Sequence, residues 1–220
     1  MIAVIGDIHG DFNNLQKLHQ KIILEYPDIQ IYCVGDLIDR GPDSKKVVQY
    51  CMDNKFIVIK GNHELMMLDF IDSYLNLKTL SLQEANLSHF VFGGKDCMRS
   101  YLNEFSYNKL GEYISEMKYY NHIEYLKNLP WNLTVGKYYI SHSGYWPKLS
   151  PEYGCFSQGE PDKHPDLFQI FGHQPQKDVL ITDYYCNVDT GSFYSNKLSA
   201  IVLDENKSIT EFHKIFTSDD

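Results

Sequence analysis

Residues 1–64 read MIAVIGDIHGDFNNLQKLHQKIILEYPDIQIYCVGDLIDRGPDSKKVVQYCMDNKFIVIKGNHE, and this stretch decides the fold. Three apolar runs predict strands, and the two segments between them carry apolar residues at helical spacing, with Asp11 as the N-cap of the first helix. In chain order, the predicted elements are a strand at 2–6, a helix at 11–25, a strand at 29–34, a helix at 43–53 and a strand at 56–59. Because strands and helices alternate, the sequence predicts a sheet with parallel strands.

The rest of the chain changes character twice. Residues 64–128 are predicted to be mainly helical, with a break at Gly93-Gly94. Strands dominate after this segment, and they are predicted at 132–141, 167–171, 185–189, 197–203 and 208–215. This order predicts an α/β fold built as a single domain over 1–220: a four-layer α/β/β/α sandwich of two mixed sheets flanked by helices.

Composition and charge exclude several classes of protein. The chain has 220 residues, of which 43% are hydrophobic and 22% charged, and these values are typical of a folded protein. Its net charge of −9 argues against a nucleic-acid partner, because no surplus of basic residues is present to neutralise phosphates. No apolar run approaches the ~18 residues of a membrane span, so we expect no membrane association.

The five cysteines are odd in number and contain no CxxC pair. This pattern favours free thiols in a reducing compartment over a disulfide framework. The chain opens on a predicted strand, without the basic and apolar regions of a signal peptide. We therefore expect a cytoplasmic protein whose mature form is the whole chain, and we expect a monomer.

Glycine-flanked polar motifs follow the predicted strands. They are GDIHG at 6–10, GDLIDRG at 35–41 and GNHE at 61–64, followed later by HSG at 142–144 and GH at 172–173. Ligands of α/β sheets bind outside the carboxyl ends of the strands, so these loops are expected to converge. Clustered carboxylates do not both stay ionised without a cation, and mixed carboxylate, imidazole and amide ligation suits a pair of divalent metals. The residues therefore predict a metal site at the strand ends.

These motifs closely resemble those of the phosphoprotein phosphatase family of calcineurin-like metallophosphoesterases, in its bacterial and phage branch. GDxHG, GDxxDRG and GNHE match in order and spacing, and HSG is similar to the family's H(G/A)G-type motif. GHQP at 172–175 resembles GHTP, and CNVDTGSFYSNKLSAIVL at 186–203 resembles the family's IDTG…GGxLxxL ending. The resemblance covers nearly the whole chain and implies a metal-dependent phosphomonoester hydrolase.

The resemblance also implies a ligand set for two divalent metal ions. Asp7, His9 and Asp36 would hold the first ion. Asp36 would bridge to the second ion, which would also be held by Asn62, His142 and His173. We expect manganese, with iron or zinc as alternatives.

Three further residues receive catalytic roles from the resemblance. Arg40 would bind the phosphoryl oxygens bidentately, and His63 would protonate the leaving oxygen while Asp39 orients it. The nucleophile would be a hydroxide bridging the two ions, which attacks phosphorus directly without a phosphoenzyme.

The chain departs from the family pattern at the second phosphate-binding arginine. Residues 143–172 contain no arginine, although the family places one there. The only arginine besides Arg40 is Arg99, which follows Gly93-Gly94, where backbone amides can bind an anion. We therefore predict Arg99 as the second substrate-binding residue, with Lys148 as the alternative.

Three functions fit these residues. The first is hydrolysis of phosphoserine and phosphothreonine proteins, with phosphotyrosine as a further substrate, and the presence of Asp39 favours it. The second is a diadenosine-tetraphosphate or related nucleotide pyrophosphohydrolase, and the third is an inactive binding protein. The motif Asp189-Thr190-Gly191 is predicted to be a structural turn. The histidines outside the motifs are predicted to be surface or packing residues: His19, His89, His122, His164 and His213.

Overall fold

The computed structural model describes residues 1–76 and 88–219 of the chain. Its first sheet has the strand order β10-β9-β1-β2-β3. These strands are β1 (Ile2–Ile5), β2 (Gln30–Cys33), β3 (Ile57–Val58), β9 (Ser199–Leu203) and β10 (His213–Thr217). Strands β1, β2 and β3 are parallel, whereas β9 pairs antiparallel with both β1 and β10. The parallel part is the sheet predicted from the first sixty residues.

The second sheet also has five strands, in the order β4-β5-β6-β8-β7. Its strands are β4 (Asn132–Val135), β5 (Tyr138–Ser141), β6 (Phe168–Phe171), β7 (Leu180–Ile181) and β8 (Tyr185–Asn187). Strands β5, β6 and β8 are parallel, and the two outer strands are antiparallel to their neighbours. Both sheets are therefore mixed, as predicted.

Helices follow most of the strands of the first sheet. The described helices are α1 (Phe12–Glu25), α2 (Ser44–Asp53), α3 (Asn62–Asn76), α4 (Ser88–Val91), α5 (Gly94–Leu102), α6 (Leu110–Tyr119), α7 (His122–Lys127), α8 (Pro151–Gly154) and α9 (Ser192–Ser195), with a 3₁₀ helix at Tyr107–Lys109. Asp11 is the N-cap of α1, because its side chain accepts the backbone N–H of Asn14 at 3.2 Å. This prediction is confirmed.

Successive side chains along a strand point to opposite faces of the sheet, so the hydrophobic core has two parts. Val4 of β1 packs between the sheets with Ile140 and Ile170, whereas Ile5 points to the other face and packs against α1 and α2. The outer face of the second sheet is covered by the loop between β5 and β6. There, Gln169 accepts the backbone N–H of Tyr145 at 2.8 Å. The two sheets thus lie face to face with helices and loops outside, which confirms the predicted layers.

Two predicted strands were wrong in their extent. The segment 132–141 forms two antiparallel strands, β4 and β5, because the chain turns at Gly136 and Lys137. The predicted strand at 208–215 begins only at His213. Its first residues form a turn instead, in which Glu211 accepts the backbone N–H and the hydroxyl of Ser208 at 2.6 Å and 2.7 Å.

The helical segment agrees with the prediction over its described part. Helix α3 starts two residues early, at Asn62, and residues 77–87 lie outside the described residues. The break at Gly93-Gly94 is confirmed, since α4 ends at Val91 and α5 begins at Gly94. None of the helices in the described ranges combines the length and the apolar character needed to span a membrane. All five cysteines are buried free thiols.

Candidate metal centre

The carboxyl ends of the parallel strands from both sheets meet at one place. Asp7 follows β1, Asp36 follows β2, and Asn62 follows β3. From the second sheet, His142 directly follows β5, and His173 lies two residues after β6. Because two sheets packed face to face present their strand ends to the same edge, side chains distant in sequence become neighbours.

The backbone at this edge is unusual. Nine described residues other than glycine have positive φ, and five of them are predicted site residues: His9, Asp36, Asp39, Arg40 and His173. Such conformations cost about 1–3 kcal/mol each and persist only where the surrounding structure imposes them. The site therefore depends on the packing of the fold and not on local backbone preference.

Asp36 lies at the centre of the cluster. Its Oδ2 is 3.5 Å from His9 Nε2, and its Oδ1 is 3.5 Å from His142 Nε2. Two groups of potential ligand atoms share Asp36, and within each group the atoms lie within 4.8 Å of one another: His9, Asp36 and His63 form one, and Asp36, His142 and His173 the other. One carboxylate oxygen faces each group, which is the arrangement a bridging ligand requires.

The histidine tautomers are set by backbone carbonyls. His9 Nδ1 donates to the carbonyl oxygen of Ile38 at 3.0 Å, and His142 Nδ1 donates to that of Val34 at 2.9 Å. Each Nε2 therefore presents a lone pair to the cluster. Burial lowers the pKa of His9 to about 3, and it also lowers the pKa of His142. Burial, together with His142, lowers the pKa of His173 to about 4, so all three imidazoles are neutral, as metal ligation requires.

Two acceptor atoms face each other where Asn62 meets the second group. Asn62 Oδ1 lies 2.9 Å from His142 Nε2, and both atoms are acceptors in this tautomer. A cation between them removes this conflict. The donor set of the residues present thus fits a divalent ion.

Asp7 is buried and belongs to neither group. Its carboxylate accepts the backbone N–H of His173 at 3.0 Å, and a Cβ at Gly172 would collide with it. Burial raises the pKa of Asp7, as do the charges of Asp189 and Asp36. The buried carboxylates of Asp7, Asp36 and Asp189 lie close enough to repel one another, and bound cations compensate this repulsion best. The residues therefore fit the predicted pair of metal ions.

His63 differs from the three other histidines of the site. Its Nδ1 lies 2.7 Å from Asp39 Oδ2, so its hydrogen-bond partner is a buried carboxylate instead of a backbone carbonyl. Burial alone would lower the pKa of His63, but Asp36 and Asp39 outweigh burial and raise it. A protonated imidazole suits a proton donor, whereas neutral imidazoles suit metal ligands.

Arg40 lies between His9, a predicted metal ligand, and His63, the predicted proton donor. Its guanidinium donates from Nη1 to His9 Nε2 at 2.6 Å and approaches His63 Nε2 with Nη2 at 3.0 Å. The same group lies 5.7 Å from the ring centroid of Tyr194. Arg40 also lines a pocket of about 360 Å³ that adjoins the predicted metal ligands. The described residues that line it are Asp36, Arg40, Asn62, His63, Met66, Phe92, Phe156, Gln158, His173, Pro175 and Tyr194.

The structure does not bring Arg99 to this pocket. Arg99 Nη1 pairs with Asp96 Oδ1 at 2.6 Å on the same helix, and its side chain is 51% exposed. Lys148 is exposed in the loop after β5. Neither residue lines the pocket, and Arg40 is the only arginine or lysine among the described residues that do. The second phosphate-binding cation of the family therefore has no replacement among these lining residues.

Sequence reasoning gave no role to two buried residues that support the site. Glu64 of the GNHE motif accepts the backbone N–H groups of Asp36, Leu37 and Gly61 at 2.8–2.9 Å, and thereby fixes the loop that carries Asp36. The motif itself was the available signal. His89 was predicted to be a packing residue, yet its Nδ1 lies 3.3 Å from Asp39 Oδ2. No spacing pattern pointed to it.

Asp189 forms the predicted turn, in which its Oδ1 accepts the N–H of Gly191 at 2.8 Å. The turn also acts on the site, because the charge of Asp189 raises the pKa of Asp7.

Comparison with known proteins places this site in a family. The calcineurin-like phosphoesterase family profile matches residues 1–206. The chain is similar to bis(5'-nucleosyl)-tetraphosphatase PrpE [asymmetrical] of Oceanobacillus iheyensis, with 24% identity over 95% of this chain and 91% of that protein. It is also similar to serine/threonine-protein phosphatase 2 of Escherichia coli, with 44% identity over 73 residues, which is 33% of each chain.

A solved structure has the same fold. The crystal structure of a conjectured diadenosine tetraphosphatase superposes with a TM-score of 0.61 and 18% identity, covering 98% of this chain and 91% of that one. At this identity the likeness concerns the fold alone. Together with the family match over residues 1–206, it confirms the resemblance seen in the motifs. The chain belongs to the calcineurin-like phosphoesterase family, and it is a metallophosphoesterase, an enzyme that hydrolyses phosphoric ester bonds.

Proposed function

We propose that this enzyme is a phosphomonoesterase that acts on phosphoserine and phosphothreonine in proteins, and also on phosphotyrosine. The observation that carries the proposal is the place of Arg40, whose guanidinium contacts both His9 of the metal cluster and His63. A phosphoryl group held by Arg40 would lie against the metal ligands on one side and a proton donor on the other. This arrangement suits cleavage of a single phosphoester bond.

Each group has a defined task in this proposal. Asp7, His9 and Asp36 would hold one divalent ion, and Asp36, Asn62, His142 and His173 would hold the other. The bound ions supply Lewis acidity and an activated water for attack on phosphorus. Arg40 exchanges its imidazole contacts for two phosphoryl oxygens, where its planar fork fits bidentately. His63 gives the proton on Nε2 to the leaving oxygen, while Asp39 keeps Nδ1 protonated and the ring oriented.

The charge of the pocket favours a monoester over a polyphosphate. Arg40 is the only arginine or lysine among the described lining residues, and the whole chain carries a net charge of −9. A dinucleoside tetraphosphate brings additional charged phosphates beyond the reacting one, and these require further cations. The similarity to serine/threonine-protein phosphatase 2 supports the same choice.

Hydrolysis of dinucleoside tetraphosphates is the second candidate. Three exposed aromatic side chains rim the pocket: Phe92, Phe156 and Tyr194. Such rings can stack on a nucleobase, although they can equally hold the ring of phosphotyrosine. The similarity to the tetraphosphatase PrpE extends over 95% of the chain, which also favours this candidate.

A substrate panel separates the two candidates. Phosphate or nucleotide release would be measured with manganese present on phosphoserine, phosphothreonine and phosphotyrosine peptides, p-nitrophenyl phosphate and diadenosine tetraphosphate. We expect the highest kcat/KM on a phosphopeptide. A higher kcat/KM on diadenosine tetraphosphate would replace it with the second candidate.

Removal of metal is expected to abolish activity. Dialysis against a chelator should give an inactive protein, and manganese should restore turnover best, since carboxylate, imidazole and amide ligands suit it. Magnesium should restore little, because it dehydrates reluctantly and prefers oxygen ligands. Metal content by mass spectrometry, measured beside activity, checks the result. Undiminished turnover by the metal-free protein would refute the mechanism.

The variant Arg40→Lys is expected to be nearly as impaired as Arg40→Ala. Lysine keeps the charge but offers no planar fork, so kcat/KM should fall by roughly 10²–10³-fold, as for loss of one oxyanion donor. Steady-state kinetics on a phosphoserine peptide measures this effect.

The chain provides a matched control for Arg40 in its only other arginine. Arg99→Ala removes an exposed side chain paired with Asp96, so kcat and KM should stay at the wild-type values. Recovery of full activity by lysine at position 40 would show that simple charge attraction suffices and that the bidentate contact is wrong.

A further inference from the structure

A second buried histidine approaches the aspartate that orients His63. His89 of α4 has its Nδ1 3.3 Å from Asp39 Oδ2, the same oxygen that lies 2.7 Å from His63 Nδ1. All three side chains are 0–1% exposed. Asp39 is thus held between two imidazoles, one facing the pocket and the other facing the helical layer.

The ring of His89 has little freedom to move. It lies nearly parallel to the rings of Phe70 and Tyr113, at centroid distances of 5.9 Å and 6.3 Å and interplanar angles of 22° and 1°. Below it lies the first residue of α5, where a Cβ at Gly94 would come within 2.5 Å of the imidazole. Because packing fixes the ring from several sides, its Nδ1 is a fixed point against which Asp39 can be aligned.

Asp39 depends on this contact. Its other oxygen, Oδ1, is buried and has no hydrogen-bond partner among the described residues, and His89 Nδ1, which approaches Oδ2 to 3.3 Å, has no other polar partner among them. Burial alone would raise the pKa of Asp39, but His89 and His63 outweigh burial and lower it to about 2. A buried carboxylate with a single partner is held less firmly than one between two, and it is harder to keep ionised.

The same three-residue neighbourhood includes a thiol, and this raises the alternative of a third metal site. Asp39, His89 and Cys97 have potential ligand atoms within 4.8 Å of one another. Burial raises the pKa of the Cys97 thiol, and Tyr113 donates its hydroxyl hydrogen to the sulfur at 3.1 Å. The thiolate is the metal-binding form, so an ion here would have to displace both the thiol proton and this hydrogen bond. The cluster therefore suits an imidazole–carboxylate contact better than an ion.

We infer that His89 is a positioning residue for proton donation, and that it acts on His63 through Asp39. The inference rests on the proposed role of His63 as the acid. By fixing Asp39, His89 keeps Nδ1 of His63 on the carboxylate and Nε2 directed at the leaving oxygen. Loss of His89 should therefore impair protonation of the leaving group and leave phosphoryl binding intact.

Two variants separate positioning from packing. His89→Phe keeps an aromatic ring but has no donor, whereas His89→Asn keeps a donor near the place of Nδ1 but leaves a cavity. On a phosphoserine peptide, His89→Phe should lower kcat by roughly tenfold to hundredfold, the usual effect of losing an outer-shell partner, with little change in KM. On p-nitrophenyl phosphate, which needs little protonation, its kcat should stay near the wild-type value. His89→Asn should retain most of the peptide activity despite a lower Tm.

A matched control tests whether loss of any buried histidine has this effect. His19 on α1 has its Nδ1 2.8 Å from the hydroxyl oxygen of Tyr50 and does not contact Asp39, so His19→Phe should lower Tm without changing the ratio of the two activities. If His89→Phe loses activity equally on both substrates, or if the activities of the His89 variants simply follow their Tm values, the inference is overturned. Loss of a metal equivalent in His89→Phe would also overturn it.

His63→Asn is measured in the same series, because the inference depends on the proposed acid. If His63→Asn lowers peptide hydrolysis selectively and His89→Phe does not, His89 has no positioning role and the proposed function stands. If His63→Asn affects both substrates equally, the acid assignment fails together with the inference. Metal-dependent hydrolysis by the wild-type protein tests the proposed function separately.

Discussion

Replacement of His63 by asparagine is expected to lower kcat for a phosphoserine peptide by roughly 10²–10⁴-fold, the usual loss when a general acid is removed. Asp39 holds Nδ1 of this ring at 2.7 Å, and Nε2 faces the pocket beside Arg40. In the proposed assignment His63 is not a metal ligand, so the variant should still bind two metal ions. The defect should therefore lie in proton transfer alone.

Leaving-group dependence is the measurement that checks this role. The alcohol of serine leaves only with a proton, whereas p-nitrophenolate is stable without one. His63→Asn should therefore lose far less activity on p-nitrophenyl phosphate than on the peptide. His19→Asn is the matched control, since it replaces a buried histidine of α1 and should leave both rates unchanged. Equal losses on the two substrates would remove His63 from the role of acid.

The first half of the site could be predicted because its signals are local. Asp7, Asp36 and Asn62 each follow an apolar strand, and the strands are joined by helices of recognisable periodicity. Parallel neighbours must present their carboxyl ends at one edge, so convergence follows from the element order alone. The observed pairing of β1 with β2 and of β2 with β3 agrees with this argument.

The second half needed more than local signals. His142 and His173 follow strands of a different sheet, and only the face-to-face packing of the two sheets brings His142 Nε2 within 3.5 Å of Asp36 Oδ1. Periodicity predicts which residues are buried, but it does not give the relative position of two sheets. The family resemblance supplied that relation at the level of the sequence.

Arg99 and His89 show where spacing misleads. Arg99 follows a pair of glycines, yet the helical turn directs it to Asp96, three residues earlier on the exposed face of α5. His89 belongs to none of the recognised motifs, and Asp39, its neighbour in space, lies in a loop that is distant in sequence. The positive φ angles of His9, Asp36 and Arg40 could not be predicted from the sequence either. Tertiary packing imposes such conformations on residues other than glycine.

The variant Asp36→Asn is expected to have the largest effect, because Asp36 is the one side chain shared by both groups of potential ligand atoms and the substitution removes its charge. Asparagine has nearly the same shape, and its oxygen can still accept the backbone N–H of His63, which lies 3.1 Å from Asp36 Oδ1. Glu64 holds the backbone of residue 36 in either case. The fold should therefore persist while the site loses the charge that balances two cations.

Metal stoichiometry and turnover should fall together in this variant. An amide oxygen is a weaker ligand than a carboxylate oxygen, and an asparagine side chain offers only one oxygen, so the protein should bind fewer than two equivalents. Peptide and p-nitrophenyl phosphate hydrolysis should fall equally, since the loss precedes any proton transfer. This pattern is the reverse of that expected for His63→Asn, which keeps its metals and spares the better leaving group. Two bound equivalents with near wild-type turnover would show that Asp36 does not bridge the ions.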